Sequence, residues 1–230
     1  MQLKSLIPMT LGALVAAAGT LGSAAEVKFG GRLGVGFPTS DQRDLVGGKA
    51  GVTAGAFALF DLGNGHGVRP RLDYFQVKGS QTTLSDLSYS GTRLFNTTTA
   101  ASNRIESWSL GVDYVYYFDQ KTDQGWYLVA GLGAASNRLT ADITYTRAGL
   151  DASGTYSMRS TRPYATLGAG YQFNDCFSLE AGYRHTTLAE QSVESTVTGT
   201  FAGTTGTVPA TFHRATERLG TWTLAATLRF

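Results

Sequence analysis

The sequence predicts an all-β fold, an eight-stranded antiparallel up-and-down β-barrel that spans a membrane. Three observations predict it. Apolar residues recur at every second position in eight segments, the period of a strand with two unlike faces. The connections between those segments alternate between short polar turns and long stretches. The N-terminus has the form of a secretory leader. Composition agrees, because 42% hydrophobic against 16% charged residues excludes a disordered chain. Twenty-nine glycines with 12 Phe and 11 Tyr, against 5 prolines, suit strands and tight turns better than a helical bundle.

Residues 1–25 read MQLKSLIPMTLGALVAAAGTLGSAA, with Lys4 ahead of a short apolar core and small residues at Ser23, Ala24 and Ala25. The core is broken by Pro8, Thr10 and Thr20, whereas a membrane-spanning helix needs about 20 apolar residues. A signal peptide cut after Ala24 or Ala25 is expected, leaving 26–230 as one barrel domain. No cysteine follows the cut, so no acyl anchor is expected, and the single Cys176 excludes a disulfide framework.

The first strand, 26–37, sets Val27, Phe29, Leu33, Val35 and Phe37 against Lys28, Gly30, Arg32, Gly34 and Gly36. Segments 49–62 and 67–78 flank the compact turn LGNGHG. The fourth, 104–118, alternates Trp108, Leu110, Val112, Tyr114, Tyr116 and Phe118 with Ser107, Ser109, Gly111 and Asp113. After the turn DQKTDQG come 125–137 and 156–173. The turn NDC then leads to 177–186, where Phe177, Leu179, Ala181 and Tyr183 oppose Ser178, Glu180, Gly182 and Arg184, and 216–230 closes the chain. Long connections are expected near 38–48, 79–103, 138–155 and 187–215, the second and fourth dominated by Thr, Ser, Gly and Ala.

Alternation alone leaves open which face points outward, so a soluble barrel with an apolar cavity stands against a membrane barrel. Aromatic placement separates them. One parity puts Phe29, Phe60, Phe118, Trp126, Phe173, Phe177 and Phe230 at the short-turn ends. It puts Phe37, Tyr74, Trp108, Tyr183 and Trp222 toward the long connections, which makes two girdles. The other parity collects Lys28, Arg32, Arg69, Arg71, Asp73, Asp113, Arg162, Glu180, Arg184 and Arg229, a mixed-sign set suited to a filled polar lumen. Within it, Arg69, Arg71 and Arg184 are expected to pair with Asp73, Asp113 or Glu180.

The leader, the segments SLGVDYVYYF, GWYLVAGLGAA and FSLEAGYRH, and the terminal TLRF together resemble the small eight-stranded outer-membrane barrels of the OmpA-like and opacity-protein type. The resemblance covers residues 26–230 and implies the cell outer membrane as location. It implies a structural, adhesion or other interaction role, with outer-membrane lipid, lipopolysaccharide, the barrel-assembly machinery and an unidentified surface molecule as partners. It also assigns Phe230, with Leu228 and Ala226 on the same parity, to the C-terminal signal read during assembly. Larger members continue into a periplasmic cell-wall-binding domain. This sequence stops at the barrel, so no such tether is carried over.

Enzyme motifs are missing: there is no GxxxxGK[ST], HExxH or GxSxG, and the glycines of GGRLGVG fall inside a strand pattern. No cofactor or metal is expected, since His66, His185 and His213 are dispersed. A formal charge of +2 does not suggest nucleic acid. One alternative is a lipid A deacylase-like enzyme using His185 with Thr187 and Glu190, although that family has serine where Thr187 stands. Another is a narrow conduit for small hydrophobic molecules, which requires a lateral opening or an apolar lumen. Arg93, Arg104, Arg138, Arg147, Arg159, Arg214 and Arg218 could meet lipopolysaccharide phosphates, with Asp142, Asp151, Glu194 and Glu217 among them diluting that signal.

Overall fold

Strand β1 (Val27–Thr39) leads through the short helix α1 (Ser40–Leu45) to β2 (Gly51–Gly63) in this computed structural model. It describes residues 26–90, 93–147, 150–201, 204–214 and 216–230; the leader expected at 1–25 lies outside them. There follow β3 (His66–Ser90), β4 (Arg93–Tyr117), β5 (Gly125–Arg147), β6 (Leu150–Gln172), β7 (Phe177–Leu188), β8 (Gln191–Phe201), β9 (Thr204–Arg214) and β10 (Glu217–Arg229). Eight of these strands form a ring in the order β1-β2-β3-β4-β5-β6-β7-β10, every pair antiparallel. The ring closes between the chain ends. Gly30 pairs with Arg229, and beyond them Phe230 N–H donates to Phe29 O at 2.9 Å while Phe29 N–H donates to Phe230 O at 3.2 Å.

The short turns have local causes. Asn64 takes φ 53°, a conformation asparagine tolerates, so β2 and β3 reverse in a tight hairpin. Asp61 Oδ1 accepts from Gly63 N–H at 2.8 Å. Between β6 and β7, Asn174 Oδ1 accepts from the backbone N–H groups of Cys176 and Phe177, both at 3.0 Å, mimicking a backbone turn.

Two of the expected long loops are strands instead. The β3–β4 ladder continues to Ser90 opposite Arg93, and the β5–β6 ladder to Arg147 opposite Leu150. The fourth connection folds into the hairpin β8–β9, whose Val197–Phe201 pairs with Leu150–Gly154 at the far end of β6. The described residues therefore hold ten strands, the eight of the ring and the two of this hairpin. Meanwhile β2 meets β3 only as far as Gln76, and β7 meets β6 only from Ala165 onward. Above those points the ring opens into a six-stranded sheet, β3-β4-β5-β6-β8-β9. The stretches read as loops are rich in Thr and Ser, so their hydrophobic alternation, as at Leu139, Ala141 and Ile143, is sparse; threonine nevertheless favours strands, and hairpin pairing satisfies the backbone.

Outside the ring the apolar parity is bare. Leu132, Leu33 and Leu167 are 70%, 68% and 66% exposed, a density of apolar surface that a water-soluble barrel does not carry. Aromatic rings border this band. Trp126 and Tyr171 lie 5.2 Å apart and Tyr171 and Phe173 4.9 Å apart at the short-turn end. At the other border the cross-strand partners Tyr74 and Trp108 lie 4.8 Å apart and Tyr183 and Trp222 5.0 Å apart.

Candidate functional site: the layered lumen

Side chains of the inward parity fill the ring in three layers. Nearest the short turns, Phe57, Leu59, Val115, Tyr117, Tyr127 and Val129 form an apolar floor. Arg229 lies beside it, donating to Thr122 O at 2.7 Å and to the Tyr117 hydroxyl, with its guanidinium 5.5 Å from the centre of the Tyr117 ring. At the opposite end the segment after β1 turns inward. Leu45 and Val46 pack with Phe75, Val77, Ile105, Leu139, Leu188 and Leu219, and Val46 is wholly buried. The plug is tied by polar contacts: Asn103 Nδ2 donates to Leu45 O at 2.6 Å, and the Thr221 hydroxyl donates to Gln42 Oε1 at 2.9 Å. Gly79 admits it, since a Cβ there would collide with the Val46 backbone.

Between floor and plug lies a belt of charge. Arg69 Nη2 sits 2.8 Å from Asp113 Oδ2 and its Nε donates to the same oxygen at 3.1 Å. Its Nη1 donates to Glu180 Oε2 at 2.7 Å. Arg71 Nε is 3.2 Å from Asp113 and 3.3 Å from Asp73. Arg32 bridges the remaining gap, with Nη1 3.3 Å from Glu180 and Nε 3.7 Å from Asp73. The Tyr127 hydroxyl, reaching up from the floor, donates to Glu180 at 3.3 Å. Asp113 is fully buried because Gly131 faces it across the β4–β5 ladder and leaves the volume its carboxylate occupies.

The structure thus brings five of the six lumen candidates into one network and adds Arg32, an inner-parity residue outside that set. It does not bring Arg184 to an acid. Among the described residues no carboxylate lies within 4.0 Å of the Arg184 guanidinium; Nη1 donates to Ser109 Oγ at 3.1 Å and the group sits 5.7 Å from the centre of the Phe75 ring. Arg184 is therefore a correction to the expected pairing. The physical reason is stoichiometry, since Arg32, Arg69 and Arg71 already engage all three acids. The lumen is also not polar throughout, because the floor and plug are apolar. Sequence parity identified which residues face inward but not the layering, and α1 carries too short a pattern to announce a plug. Arg162, of the inner parity too, is exposed.

Elsewhere the candidates are spread out. His185 lies on the outer face of β7 opposite Ala165 and Gly220, with Thr187 two residues along the same face and Glu190 beyond the strand. His66 Nδ1 contacts the Tyr114 hydroxyl, and His213 Nδ1 lies 2.7 Å from Ser192 Oγ across the exposed β8–β9 hairpin. Among the described residues no cluster of three His, Cys, Asp or Glu side chains could hold a metal ion. Ala226, Leu228 and Phe230 share the outer face of the last strand, Phe230 at 85% exposure.

An apolar exterior between two aromatic girdles around a packed interior is the architecture of an outer-membrane β-barrel. The family model described as outer membrane protein beta-barrel domain matches residues 9–207, and the chain belongs to that family. Its place is the outer membrane. Among solved structures it is similar to Ail, the attachment invasion locus protein of Yersinia pestis, in complex with the heparin analogue sucrose octasulfate, at 13% identity and TM-score 0.48 over 90% of this chain and 100% of that one. A major outer membrane protein from Thermus thermophilus gives 16% identity and TM-score 0.49 over 89% and 100%. Neisserial surface protein A gives 14% and 0.36 over 90% and 98%. A search of curated proteins finds no match.

Proposed function

We propose that this protein is a non-enzymatic surface barrel whose working part is the six-stranded sheet above the ring, with the lumen serving only to hold that sheet upright. The observation that carries the reading is the contrast between a lumen shut by floor, belt and plug and a large sheet that stands clear of the membrane band. The β8–β9 hairpin is built into that sheet. Val193, with Ile143, packs on the cluster of Ala141, Tyr156 and Met158, and the Ser195 hydroxyl donates to Thr155 O at 2.5 Å. Its outer rows are polar, with Thr198 and Thr207 hydroxyls 3.3 Å apart and Thr200 and Thr205 2.9 Å apart. A rigid array of hydroxyls above the bilayer is suited to contact another surface through hydrogen bonds rather than to pass a solute.

Outer-membrane lipid and lipopolysaccharide surround the band and its rim in this reading. The leader at 1–25 delivers residues 26–230 as one domain, and the barrel-assembly machinery reads Ala226, Leu228 and Phe230. Two measurements test it. Refolded protein in planar bilayers is expected to show no steady conductance, and steady channels would refute the closed lumen. Cells displaying the full chain are expected to be retained on surfaces coated with matrix proteins or sulfated glycans more than cells displaying a variant with residues 189–216 replaced by Asn-Gly. Equal retention on every coating would remove the role assigned to the sheet.

A further inference from the structure

The belt carries one more positive group than it can neutralise. Arg32, Arg69, Arg71 and Arg184 face Asp73, Asp113 and Glu180, and the three acids are already engaged by the first three arginines. The surplus charge rests on Arg184. An uncompensated charge between two apolar layers, inside a ring that crosses a bilayer, is costly unless a counter-charge accompanies it.

The structure provides a place for one. Beside Arg184 lies a cavity of about 20 Å³, lined by Arg32, Arg71, Arg184 and Thr166, with Asp73 and the Phe75 ring completing part of its wall. That is room for one small occupant, a water molecule or a single halide ion. Its donors are free to receive one. Arg32 Nε and Nη1 and Arg71 Nε are buried and make no hydrogen bond, their carboxylate neighbours standing 3.2–3.7 Å away in poor alignment. Thr53 and Thr223, also at the wall, donate their hydroxyls to the backbone carbonyls of Tyr74 and Gly182 and so add no proton to the cavity.

We propose that this cavity binds one small monovalent anion, of chloride or bromide size, held by the guanidinium groups of Arg32, Arg71 and Arg184. A water molecule would satisfy donors but leave the charge. A larger or divalent anion is excluded by the volume and by the Asp73 carboxylate on the wall. The site lies between plug and belt, where the ion acts as a structural counter-ion.

The test uses the full barrel refolded in a zwitterionic detergent, with thermal unfolding followed at fixed ionic strength while sodium gluconate is exchanged for sodium bromide. A saturable rise in melting temperature with bromide is expected for the natural sequence. Crystals grown in bromide should show one anomalous peak between Arg32, Arg71 and Arg184. Arg184→Gln removes the surplus charge, and its bromide dependence should vanish while heat-modifiable gel mobility shows that it folds. Equal melting in gluconate and bromide for the natural sequence would overturn the proposal whether or not the variant folds. So would a bromide effect of unchanged size in folded Arg184→Gln, since the ion would then bind elsewhere.

Discussion

The lower half of the molecule and its upper sheet use one backbone pattern under opposite solvents. In the ring, successive residues alternate between lipid and a packed lumen: Leu132 is 70% exposed, whereas Asp113 is fully buried within the wall it shares. In the β8–β9 hairpin the contrast is weaker: Val193, Val197, Val208 and Ala210 keep to one face, where Val193 packs on the sheet, while Ser, Thr and Glu hold the other in water. The comparison teaches that period-two hydrophobicity reports an environment with two unlike sides. A strand is legible by that pattern only where its faces differ.

The largest expected break in the comparison comes from the lumen. Asp113→Ala leaves Arg69 and Arg71 without their shared carboxylate in a dry belt, and we expect a loss of about 3–5 kcal/mol in urea unfolding of the refolded barrel. A cost below about 1 kcal/mol, typical of solvated pairs, would mean that water reaches the belt.

A substitution on the outer face sharpens the difference next. Leu132 lies between the girdle residue Trp126 and Ser136, which pairs with Trp108, so it is near mid-membrane. Leu132→Arg should cost about 2–4 kcal/mol in lipid vesicles. The same change at Val208, 60% exposed on β9, should stay within about 0.5 kcal/mol. Equal effects at the two positions would erase the boundary between ring and sheet.

Phe230 sits where the ring closes, and the assembly role proposed for it predicts a split between two readouts. Phe230→Ser should reduce insertion in cells far more than it lowers the stability of barrel refolded in detergent, whereas Phe177→Ser, in the same girdle, should affect both alike. Parallel losses for both variants in both assays would make Phe230 an ordinary girdle residue.

The smallest effect belongs to the hairpin. Leu188 and Glu217 are register partners, so Asn-Gly in place of residues 189–216 can join β7 to β10 through a two-residue turn. Barrel unfolding should change by less than about 1 kcal/mol, because the hairpin pairs only with itself and with the upper end of β6, outside the ring. A large loss would show that hairpin and barrel unfold as one unit.

By itself the sequence determined the class of fold, the eight ring strands and the outward parity. Each follows from a local rule, since side chains alternate along a strand and a lipid-facing row must be apolar between aromatic borders. Tertiary structure alone decided the rest. That α1 turns inward as a plug depends on Phe75, Val77, Ile105, Leu139, Leu188 and Leu219 arriving from five strands at one level. That Arg32 joins the belt while Arg184 stands apart depends on the stagger of strands around the ring, which sets heights that no single strand encodes. That residues 79–103 and 138–155 are largely strand, and 191–214 a docked hairpin, depends on neighbours supplying backbone partners. Threonine-rich segments carry only a sparse hydrophobic face to announce their pairing, and their register is settled when the adjoining ladders extend upward to meet them.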